Sequence, residues 1–376
     1  MKSEIKQTEI FSKPKINIRN RTLILNRDRI LYEISEIVEL DNLSSIKNRI
    51  YIILENIQNT KSDKLGLLNI VSNGDTIEAG SNFLTNELQQ IIETQTIERT
   101  KYYVSRLIKS LSEIKTSKVN DLNLNRWKEY EDILTDSLWI MEKRDTSGAH
   151  TGSYWGNFIP QIPNQLFRRY TKEGEWILDT FLGSGTSLIE SKRLGRNGIG
   201  IELQASVVNM AKNNIERERN TNNVRTEIIN NDSTSVNLEV EFNQIGIDKV
   251  QFIIMHPPYH DIIKFSDDEK DLSNAKTTED FLLMMKKVID NTYDILEKGR
   301  YMAIVIGDKY SKGEWIPLGF YCMQQALNKG YKLKSTIVKN FEETKGKQNQ
   351  KELWRYRALV GGFYIFKHEY IFLFKK

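Results

Sequence analysis

The stretch WILDTFLGSGTSLIESKRLGRNGIGIEL, residues 176–203, holds the patterns that decide the fold of this 376-residue chain. An apolar run ends at Asp179, a glycine turn follows, and residues 186–192 have helical spacing. A second apolar run, residues 198–201, ends at the carboxylate of Glu202. The order strand, tight turn, helix, strand and acid is that of a nucleotide-binding βαβ unit.

The glycine turn suits a nucleotide-like ligand. Gly183 and Gly185 let the backbone turn sharply and approach a ligand that any Cβ would exclude, and the next helix points unpaired N–H groups there. Glu202 follows at the distance where a carboxylate accepts the hydroxyls of a ribose. On the glycines alone, an ordinary βα crossover is an equal alternative. Leu188 replaces the third glycine of GxGxxG and no Gly-Lys-Ser/Thr follows, which excludes a dinucleotide fingerprint and a P-loop.

A second informative stretch is FIIMHPPY, residues 252–259, in which an apolar run meets two prolines and an aromatic residue. Pro257 restricts the residue before it and Pro258 lacks an N–H, so the loop is stiff and extended. It therefore presents the His256 side chain and the Tyr259 ring in fixed geometry. Taken alone, the stretch could also be a proline-rich turn in which the tyrosine only packs.

Together the two stretches resemble the amino-group DNA methyltransferases that use S-adenosylmethionine. The first matches their DxFxGxGT motif at Asp179, Phe181, Gly183, Gly185 and Thr186. The second matches their (D/N/S)PPY catalytic motif from its second position onward, and departs from it at His256. A neutral imidazole keeps one acceptor nitrogen and can still accept a hydrogen bond from an amine.

The resemblance implies that S-adenosylmethionine binds at the turn without a metal. Glu202 would accept the ribose hydroxyls and Asp232 the adenine amino group, although an N-cap aspartate is an equal interpretation of Asp232. The implied catalytic residues are His256, Pro257, Pro258 and Tyr259. The imidazole of His256 and the carbonyl of Pro257 would accept the amine hydrogens, and Tyr259 would stack on a base flipped out of the duplex.

Double-stranded DNA is the expected partner, with N4 of cytosine favoured over N6 of adenine because motifs without aspartate at the first position resemble the cytosine enzymes more often. Methylation at carbon 5 is disfavoured, since it needs a cysteine nucleophile after a proline, and the single cysteine, Cys322, follows Tyr321. An RNA amino-methyltransferase and a catalytically silent nucleic-acid-binding module are the alternatives, and His256 keeps the second open. The resemblance further implies a cognate restriction endonuclease that acts on the same site.

Composition is compatible with these expectations. The net charge of +4 permits nucleic-acid binding without requiring it. One cysteine excludes a disulfide framework, and with four histidines it forms no zinc-binding spacing. No apolar run approaches the roughly 20 residues that a membrane helix needs, and the first residues lack a signal-peptide core. We therefore expect a cytoplasmic, nucleoid-associated protein with no membrane partner.

Strand and helix patterns alternate from residue 176 onward, which predicts a doubly wound, Rossmann-like α/β methyltransferase sheet. We expect the methyltransferase domain at residues 126–376 and a mostly helical N-terminal region, with a possible role in DNA recognition, at residues 1–125. Helical spacing is found in residues 29–58, 85–114 and 126–143. The last apolar runs, residues 363–366 and 368–374, predict an antiparallel pair at the sheet edge.

Two further segments have predicted roles. Residues 157–169 resemble the segment that closes over the methionine end of the cofactor in the family. DNA sequence could be read by residues 1–125, by the loop after Tyr259, or by residues 339–362. Among the basic residues of the first 30 positions are Lys13, Lys15, Arg19, Arg21, Arg27 and Arg29. The third candidate holds Lys345, Lys347, Lys351, Trp354, Arg355 and Arg357, a mixture suited to DNA, with a solvated charged loop as the equal alternative.

Overall fold

The computed structural model describes residues 21–59, 63–68, 75–152, 154–341 and 351–376. Of these described residues, those up to 115 and those from 123 to 131 form one compact unit, and those from 116 to 122 and from 132 onward form the other. Lys13, Lys15, Arg19, Lys345 and Lys347 lie outside the described residues, as does the side chain of Lys351. No helix in the described part of the chain is long and apolar enough to cross a bilayer.

The first unit is mostly helical, as predicted, with a small antiparallel sheet that the patterns did not indicate. Its elements are β1 (Thr22–Asn26), α1 (Arg27–Val38), α2 (Leu43–Gln58), β2 (Thr76–Gly80), α3 (Ser81–Ile92), α4 (Ile97–Ser112) and a 3₁₀ helix (Leu124–Glu129). Each of the first two helical patterns is a pair of helices. The second helix of each pair begins where the side chain of Asn42 or Thr96 accepts a backbone N–H.

Each of the helices α1 to α4 of the first unit buries an apolar stripe. Ile30, Ile34 and Ile37 of α1 are each at most 1% exposed. The same face of α1 also buries Glu33, whose carboxylate pairs with Arg29 at 2.9 Å and with Arg49. A buried carboxylate is tolerated there because it is paired.

The second unit alternates strands and helices. Its elements are β3 (Leu138–Trp139), α5 (Gln161–Tyr170), β4 (Trp176–Asp179), α6 (Thr186–Arg193), β5 (Asn197–Glu202), α7 (Ala205–Arg217), β6 (Thr226–Asn230), α8 (Leu238–Ile245), β7 (Val250–Met255), α9 (Thr278–Tyr293), β8 (Leu296–Ile306), β9 (Lys309–Ser311), β10 (Glu314–Ile316), α10 (Leu318–Lys329), β11 (Lys332–Asn340), α11 (Lys351–Gly361) and β12 (His368–Lys375). Two 3₁₀ turns, His260–Ile262 and Leu272–Asn274, lie between β7 and α9.

Eight strands of the described residues form one sheet in the order β3-β11-β12-β8-β7-β4-β5-β6. The strands from β8 to β6 are parallel, and β12 is antiparallel to both β8 and β11. The chain order reverses at β4, which pairs with β5 on one side and β7 on the other. The predicted doubly wound α/β fold is confirmed, and its switch point lies at the carboxyl end of β4.

The strands at the switch point are buried on both faces. In β7, Phe252, Ile253, Ile254 and Met255 are each 0% exposed. Such continuous apolar runs are typical of parallel strands covered by helices on both sides. The loops that leave these strands therefore start from the buried centre of the sheet.

Two predicted elements are wrong. Residues 363–366 form no strand, because Phe363 stacks on Tyr310 with ring centroids 4.3 Å apart and Phe366 packs on Trp315 at 4.1 Å. Their apolar spacing thus reflects aromatic packing, and β12 lies inside the sheet between β11 and β8 instead of at its edge.

The helix predicted for residues 126–143 is also absent from this described segment. The segment contains the end of the 3₁₀ helix of the first unit and then β3 of the second. Trp139 is 1% exposed, donates from its indole N–H to the carbonyl of Asp136 at 3.0 Å, and pairs with β11. Leu134, Trp139 and Met141 pack in a core of the second unit, whereas Trp127 and Leu138 are exposed, so the helical spacing of these residues is coincidental.

Candidate active site

A cavity of about 1220 Å³ opens at the carboxyl ends of β4, β5, β6 and β7. It brings together nine of the eleven predicted site residues. These are Phe181, Gly183, Thr186, Glu202, Asp232, His256, Pro257, Pro258 and Tyr259. The other two, Asp179 and Gly185, lie behind the wall that the turn forms.

Asp179 anchors the turn from beneath. It is 0% exposed; one carboxylate oxygen accepts the N–H of Phe181 at 2.9 Å and the other accepts the hydroxyl of Ser187. Burial raises the pKa of Asp179 to about 6, against the opposing effect of these two hydrogen bonds. The carboxyl therefore ties the end of β4 to the first turn of α6.

The two glycines of the turn face different neighbours. Gly185 has a φ of +93°, and a Cβ there would meet the side chain of Ile215 on α7 at 3.1 Å. Gly183 has a φ of +54°, and a Cβ there would lie 3.2 Å from the ring of Tyr154. Gly185 thus permits helix packing, whereas Gly183 keeps the backbone open at the cavity.

Glu202, 9% exposed at the end of β5, holds the turn from the other side. One carboxylate oxygen accepts the N–H of Gly183 at 3.0 Å and the other accepts that of Gln204 at 2.9 Å. Burial raises the pKa of Glu202 to about 7, opposed by these bonds and supported by the charges of Asp179 and Asp271. Each oxygen keeps a second lone pair, so the ionised group fits a ligand that offers two hydroxyl donors.

Asp232 lines the same cavity and also has local partners. Its carboxylate accepts the N–H of Thr234 at 2.8 Å, the hydroxyl of Thr234 at 2.7 Å and the hydroxyl of Ser235 at 3.1 Å. These bonds stabilise a turn, and the N-cap of the following helix, α8, is Asn237, so the alternative interpretation of Asp232 as a helix N-cap is wrong. The adenine contact of Asp232 stays a prediction.

The segment before β4 covers the turn, but it begins earlier than predicted. Tyr154, Trp155 and Gly156 line the cavity together with Asn157, Phe158 and Ile159. The amide of Asn157 donates to the hydroxyl of Ser184 at 2.5 Å, which fixes this segment on the turn. Helix α5 instead packs in the core through Ile162, Leu166 and Phe167. The aromatic pair Tyr154-Trp155 was the sequence signal that the cavity-lining segment begins before residue 157.

His256 follows β7 and packs edge-on against two rings. Its ring centroid lies 4.9 Å from that of Phe158 and 5.7 Å from that of Tyr259. Burial lowers the pKa of His256 to about 4, and the charge of Lys339 acts in the same direction while that of Glu369 opposes it. The imidazole is therefore neutral at physiological pH.

Two cavity residues outside both motifs, Glu369 and Lys339, continue a hydrogen-bond chain from the Pro-Pro-Tyr loop. The hydroxyl of Tyr259 donates to Glu369 at 2.7 Å, and the ammonium of Lys339 donates to the second oxygen of Glu369 at 2.9 Å. Burial would raise the pKa of Glu369, but the charge of Lys339 and the hydrogen bonds hold it below its usual value. Burial and the same carboxylate keep the pKa of Tyr259 far above its usual value, so the phenol stays protonated.

The backbone directly after Tyr259 is also fixed. His260 has a φ of +54° and is 3% exposed; its Nε2 donates to the carbonyl of Ala275 at 2.8 Å and its Nδ1 accepts from Lys309 at 2.8 Å. Lys309 pairs with Asp261 as well. The start of the loop after Tyr259 is thereby tied to β9 and to the second 3₁₀ turn.

The mouth of the cavity has an aromatic side formed by residues 354–366. Trp354, Phe363, Tyr364 and Phe366 line it, and the guanidinium of Arg357 lies 5.2 Å from the ring centroid of Trp354. Arg355 and Arg357 are exposed. Over the residues that the structure describes, no three His, Cys, Asp or Glu side chains are grouped so that they could hold a metal ion.

A doubly wound sheet with a glycine turn after its switch-point strand, an acid at the end of the next strand and a Pro-Pro-Tyr loop in the same cavity defines a Rossmann-like methyltransferase. The chain belongs to the DNA methylase family of N6 and N4 methyltransferases, whose model matches residues 9–213 and 250–376. The resemblance stated from the two motifs is confirmed.

Individual relatives match over shorter stretches. The Type II methyltransferase M2.DpnII of Streptococcus pneumoniae is 37% identical over 103 residues, which are 26% of this chain and 35% of that protein. The Type II methyltransferase M.MjaII of Methanocaldococcus jannaschii is 30% identical over 144 residues, 34% of this chain and 27% of that protein. The chain thus spans about a third or less of the length of these relatives. Among solved structures, TrmN from Thermus thermophilus has 16% identity and a TM-score of 0.38, covering 58% of this chain and 49% of that one.

Proposed function

We propose that this protein transfers a methyl group from S-adenosylmethionine to an exocyclic amine in double-stranded DNA, namely N4 of cytosine. The observation that carries this proposal is the single cavity lined by both motifs. Gly183 and Glu202 border it at the ends of β4 and β5, and His256 and Tyr259 border it at the end of β7. A methyl donor and an acceptor base can therefore meet in one space.

The cofactor half of the cavity has the required acceptors. Glu202 in its ionised form would accept the two ribose hydroxyls, Asp232 would accept the adenine amine, and Phe181 would lie against the cofactor. Thr186, at the first position of α6, would contribute the helix N-terminus. When bound, S-adenosylmethionine supplies a methyl group that its positive sulfur already activates. Asp179 and Gly185 would act by shaping the turn, since both lie behind the wall.

The base half would hold a flipped nucleotide against Tyr259. Gly307 backs the tyrosine ring so closely that a Cβ there would lie 2.9 Å from it. The ring is thus supported as a flat platform at the cavity wall. Base–aromatic stacking is worth roughly 1–3 kcal/mol and offsets part of the few kcal/mol that flipping costs.

Catalysis would consist of orienting a weak nucleophile. The lone pair of an exocyclic amine is delocalised into the base, so acceptors must draw the nitrogen toward tetrahedral geometry. Neutral His256 offers one acceptor nitrogen, and the carbonyl of Pro257 offers a second acceptor. Preorganised acceptors and positioning carry most of such a reaction.

Cytosine is proposed over adenine because His256 stands where the adenine enzymes more often have aspartate. The test incubates the protein with S-adenosylmethionine and either duplex DNA or RNA, followed by digestion and mass spectrometry of the nucleosides. We expect N4-methylcytosine in DNA. Detection of N6-methyladenine would show that the target base is adenine, with the type of reaction unchanged. Methylation of RNA alone would exclude the proposal.

A restriction endonuclease of the same specificity is the proposed functional partner, acting in the cytoplasm. The relatives from Streptococcus pneumoniae and Methanocaldococcus jannaschii both carry the name Type II methyltransferase, which motivates this partner. DNA treated with the protein and S-adenosylmethionine should then resist an endonuclease whose site contains the modified base. Sequencing of the modified DNA identifies that site first.

A further inference from the structure

A buried ion pair lies beside the catalytic loop, although no motif contains it. Lys339 of β11 and Glu369 of β12 are direct register partners, 5% and 7% exposed, and both line the cavity. Burying two charges costs several kcal/mol per ion before their attraction is counted. A pair retained at such a cost, in contact with Tyr259, points to a role in the site.

The pair sets the direction of the hydrogen bonds that reach His256. An ionised carboxylate only accepts, so the single hydroxyl hydrogen of Tyr259 must be donated to Glu369. The tyrosine oxygen lies 3.3 Å from Nε2 of His256 and has no second hydrogen to give. In this contact the imidazole is therefore the donor, and its hydrogen resides on Nε2.

The other ring nitrogen then carries the lone pair. Nδ1 of His256 has no hydrogen-bond partner within the described ranges, and the residue lines the cavity. An aspartate at this motif position would be an acceptor whichever way it was oriented, whereas a histidine is an acceptor at only one nitrogen. A histidine at this position can consequently present the acceptor to the cavity only if its hydrogen-bond partners select one tautomer.

We propose that Glu369 is a positioning residue that acts through Tyr259 to hold His256 as the Nε2–H tautomer, which leaves Nδ1 as the acceptor for the substrate amine. Lys339 keeps the Glu369 carboxylate ionised, and so keeps it an acceptor. The use of Nδ1 toward an amine rests on the proposed function. The tautomer itself is a property of the protein without substrate.

The test measures the tautomer directly by NMR. Long-range ¹H–¹⁵N spectra of the full chain labelled with ¹⁵N-histidine distinguish Nε2–H from Nδ1–H for each of the four histidines. The spectrum of His256→Asn identifies the signal to follow. We expect Nε2–H for His256 at pH 7, and a wild-type Nδ1–H tautomer overturns the proposal even if no variant folds.

Glu369→Gln should reverse the chain of hydrogen bonds. The single amide oxygen is taken by the ammonium of Lys339, so the amide N–H₂ faces Tyr259 and donates to it. The hydroxyl hydrogen of Tyr259 is then free for His256, and the tautomer should change to Nδ1–H. An unchanged Nε2–H signal in folded Glu369→Gln overturns the proposal.

Two control variants separate this effect from general damage. Lys339→Arg keeps a cation beside an unchanged carboxylate and should retain Nε2–H; a change of tautomer there contradicts the proposal. Glu33→Gln makes the same chemical change at a buried, ion-paired carboxylate that does not line the cavity and should leave the His256 signal unaltered.

Kinetics provide the second readout. Glu369→Gln should lower kcat for methyl transfer on the order of 10²-fold, the scale of one misplaced proton-handling group, while cofactor KM stays within about 2-fold. A tautomer change with unaltered kcat would remove Nδ1 from the reaction and overturn the catalytic half of the proposal. Absence of methyl transfer in the wild type would refute the proposed function, whereas the NMR result stands independently of it.

Discussion

The hydroxyl of Tyr259 donates a 2.7 Å hydrogen bond to Glu369, a residue 110 positions further along the chain. The end of the Pro-Pro-Tyr loop is thereby bonded to β12, which lies inside the sheet. The same phenol meets His256 at 3.3 Å. The tyrosine therefore has two separable features, a ring at the cavity wall and a hydroxyl within a buried hydrogen-bond chain.

Tyr259→Phe separates these features. The ring remains for stacking, but one oxygen of the buried Glu369 loses its donor, so we expect the free energy of unfolding to fall by about 1–3 kcal/mol and kcat to fall more than DNA affinity. Urea unfolding and steady-state kinetics measure both. Tyr331→Phe is the matched control, since the buried hydroxyl of Tyr331 has no partner among the described residues and its loss should cost little. Equal effects of the two changes would contradict the assigned hydrogen-bond chain.

Cofactor affinity should depend on the ionisation of Glu202. Burial raises the pKa of this carboxyl to about 7, and only its ionised form accepts two hydroxyls. Below that pH the Glu202 carboxyl must lose its proton before the cofactor binds. The Kd of the cofactor should therefore increase by up to about tenfold for each unit by which the pH falls. His256, with a pKa of about 4, stays neutral throughout this range. Calorimetric titration from pH 5 to pH 8 measures the effect, and Glu202→Gln should bind weakly with no such slope.

Local patterns predicted the glycine turn and the Pro-Pro-Tyr loop that border the cavity, because the determinants of both are local. Gly183 and Gly185 both adopt positive φ, and the buried run of β4 ends at Asp179 as the apolar pattern indicated. The Pro-Pro-Tyr loop likewise follows an apolar run, the second half of β7. In these stretches the conformational preference of each residue determines its backbone, with little contribution from residues distant in the chain.

The remaining part of the site depends on strand pairing, which the patterns did not supply. Glu369 meets Tyr259 only because β12 is inserted antiparallel between β8 and β11. A hairpin at the sheet edge, as predicted, would have placed Glu369 elsewhere. One signal was available: Glu369 is an acid directly before the aromatic and aliphatic run of β12, and the strand before it carries Lys339.

Gly185→Ala should act on folding more than on the cavity. The φ of +93° costs an L-residue about 1–2 kcal/mol, and the new Cβ would meet Ile215 at 3.1 Å. We expect the free energy of unfolding to fall by at least that amount, with cofactor Kd nearly unchanged in the folded fraction. Gly183→Ala is the comparison, because its Cβ would press on Tyr154 beside the cavity and should weaken cofactor binding. The reverse ranking of the two Kd values would show that Gly185 contacts the ligand.

Asp179→Asn should remove a pH dependence of stability. The pKa of Asp179 is raised to about 6 in the folded protein, so the folded state binds this proton more tightly than the unfolded state. Its contribution is present at low pH and is lost as the pH rises from about 4 to about 6. The difference in unfolding free energy between wild type and variant should change over that interval by up to about 3 kcal/mol. A difference that is constant with pH would indicate an ordinary carboxylate.

Arg355 and Arg357 on α11 should contact DNA phosphates if residues 339–362 follow the substrate. Both side chains are exposed, and α11 carries Trp354, which lines the cavity mouth. Replacing both arginines with alanine should weaken DNA binding and reduce the slope of log K against log salt by about 1 for each phosphate that is no longer neutralised. Fluorescence anisotropy at several salt concentrations measures the slope. Arg219→Ala, an exposed arginine outside the cavity, is the control, and a slope that falls equally in both variants would leave α11 without a specific part in DNA binding.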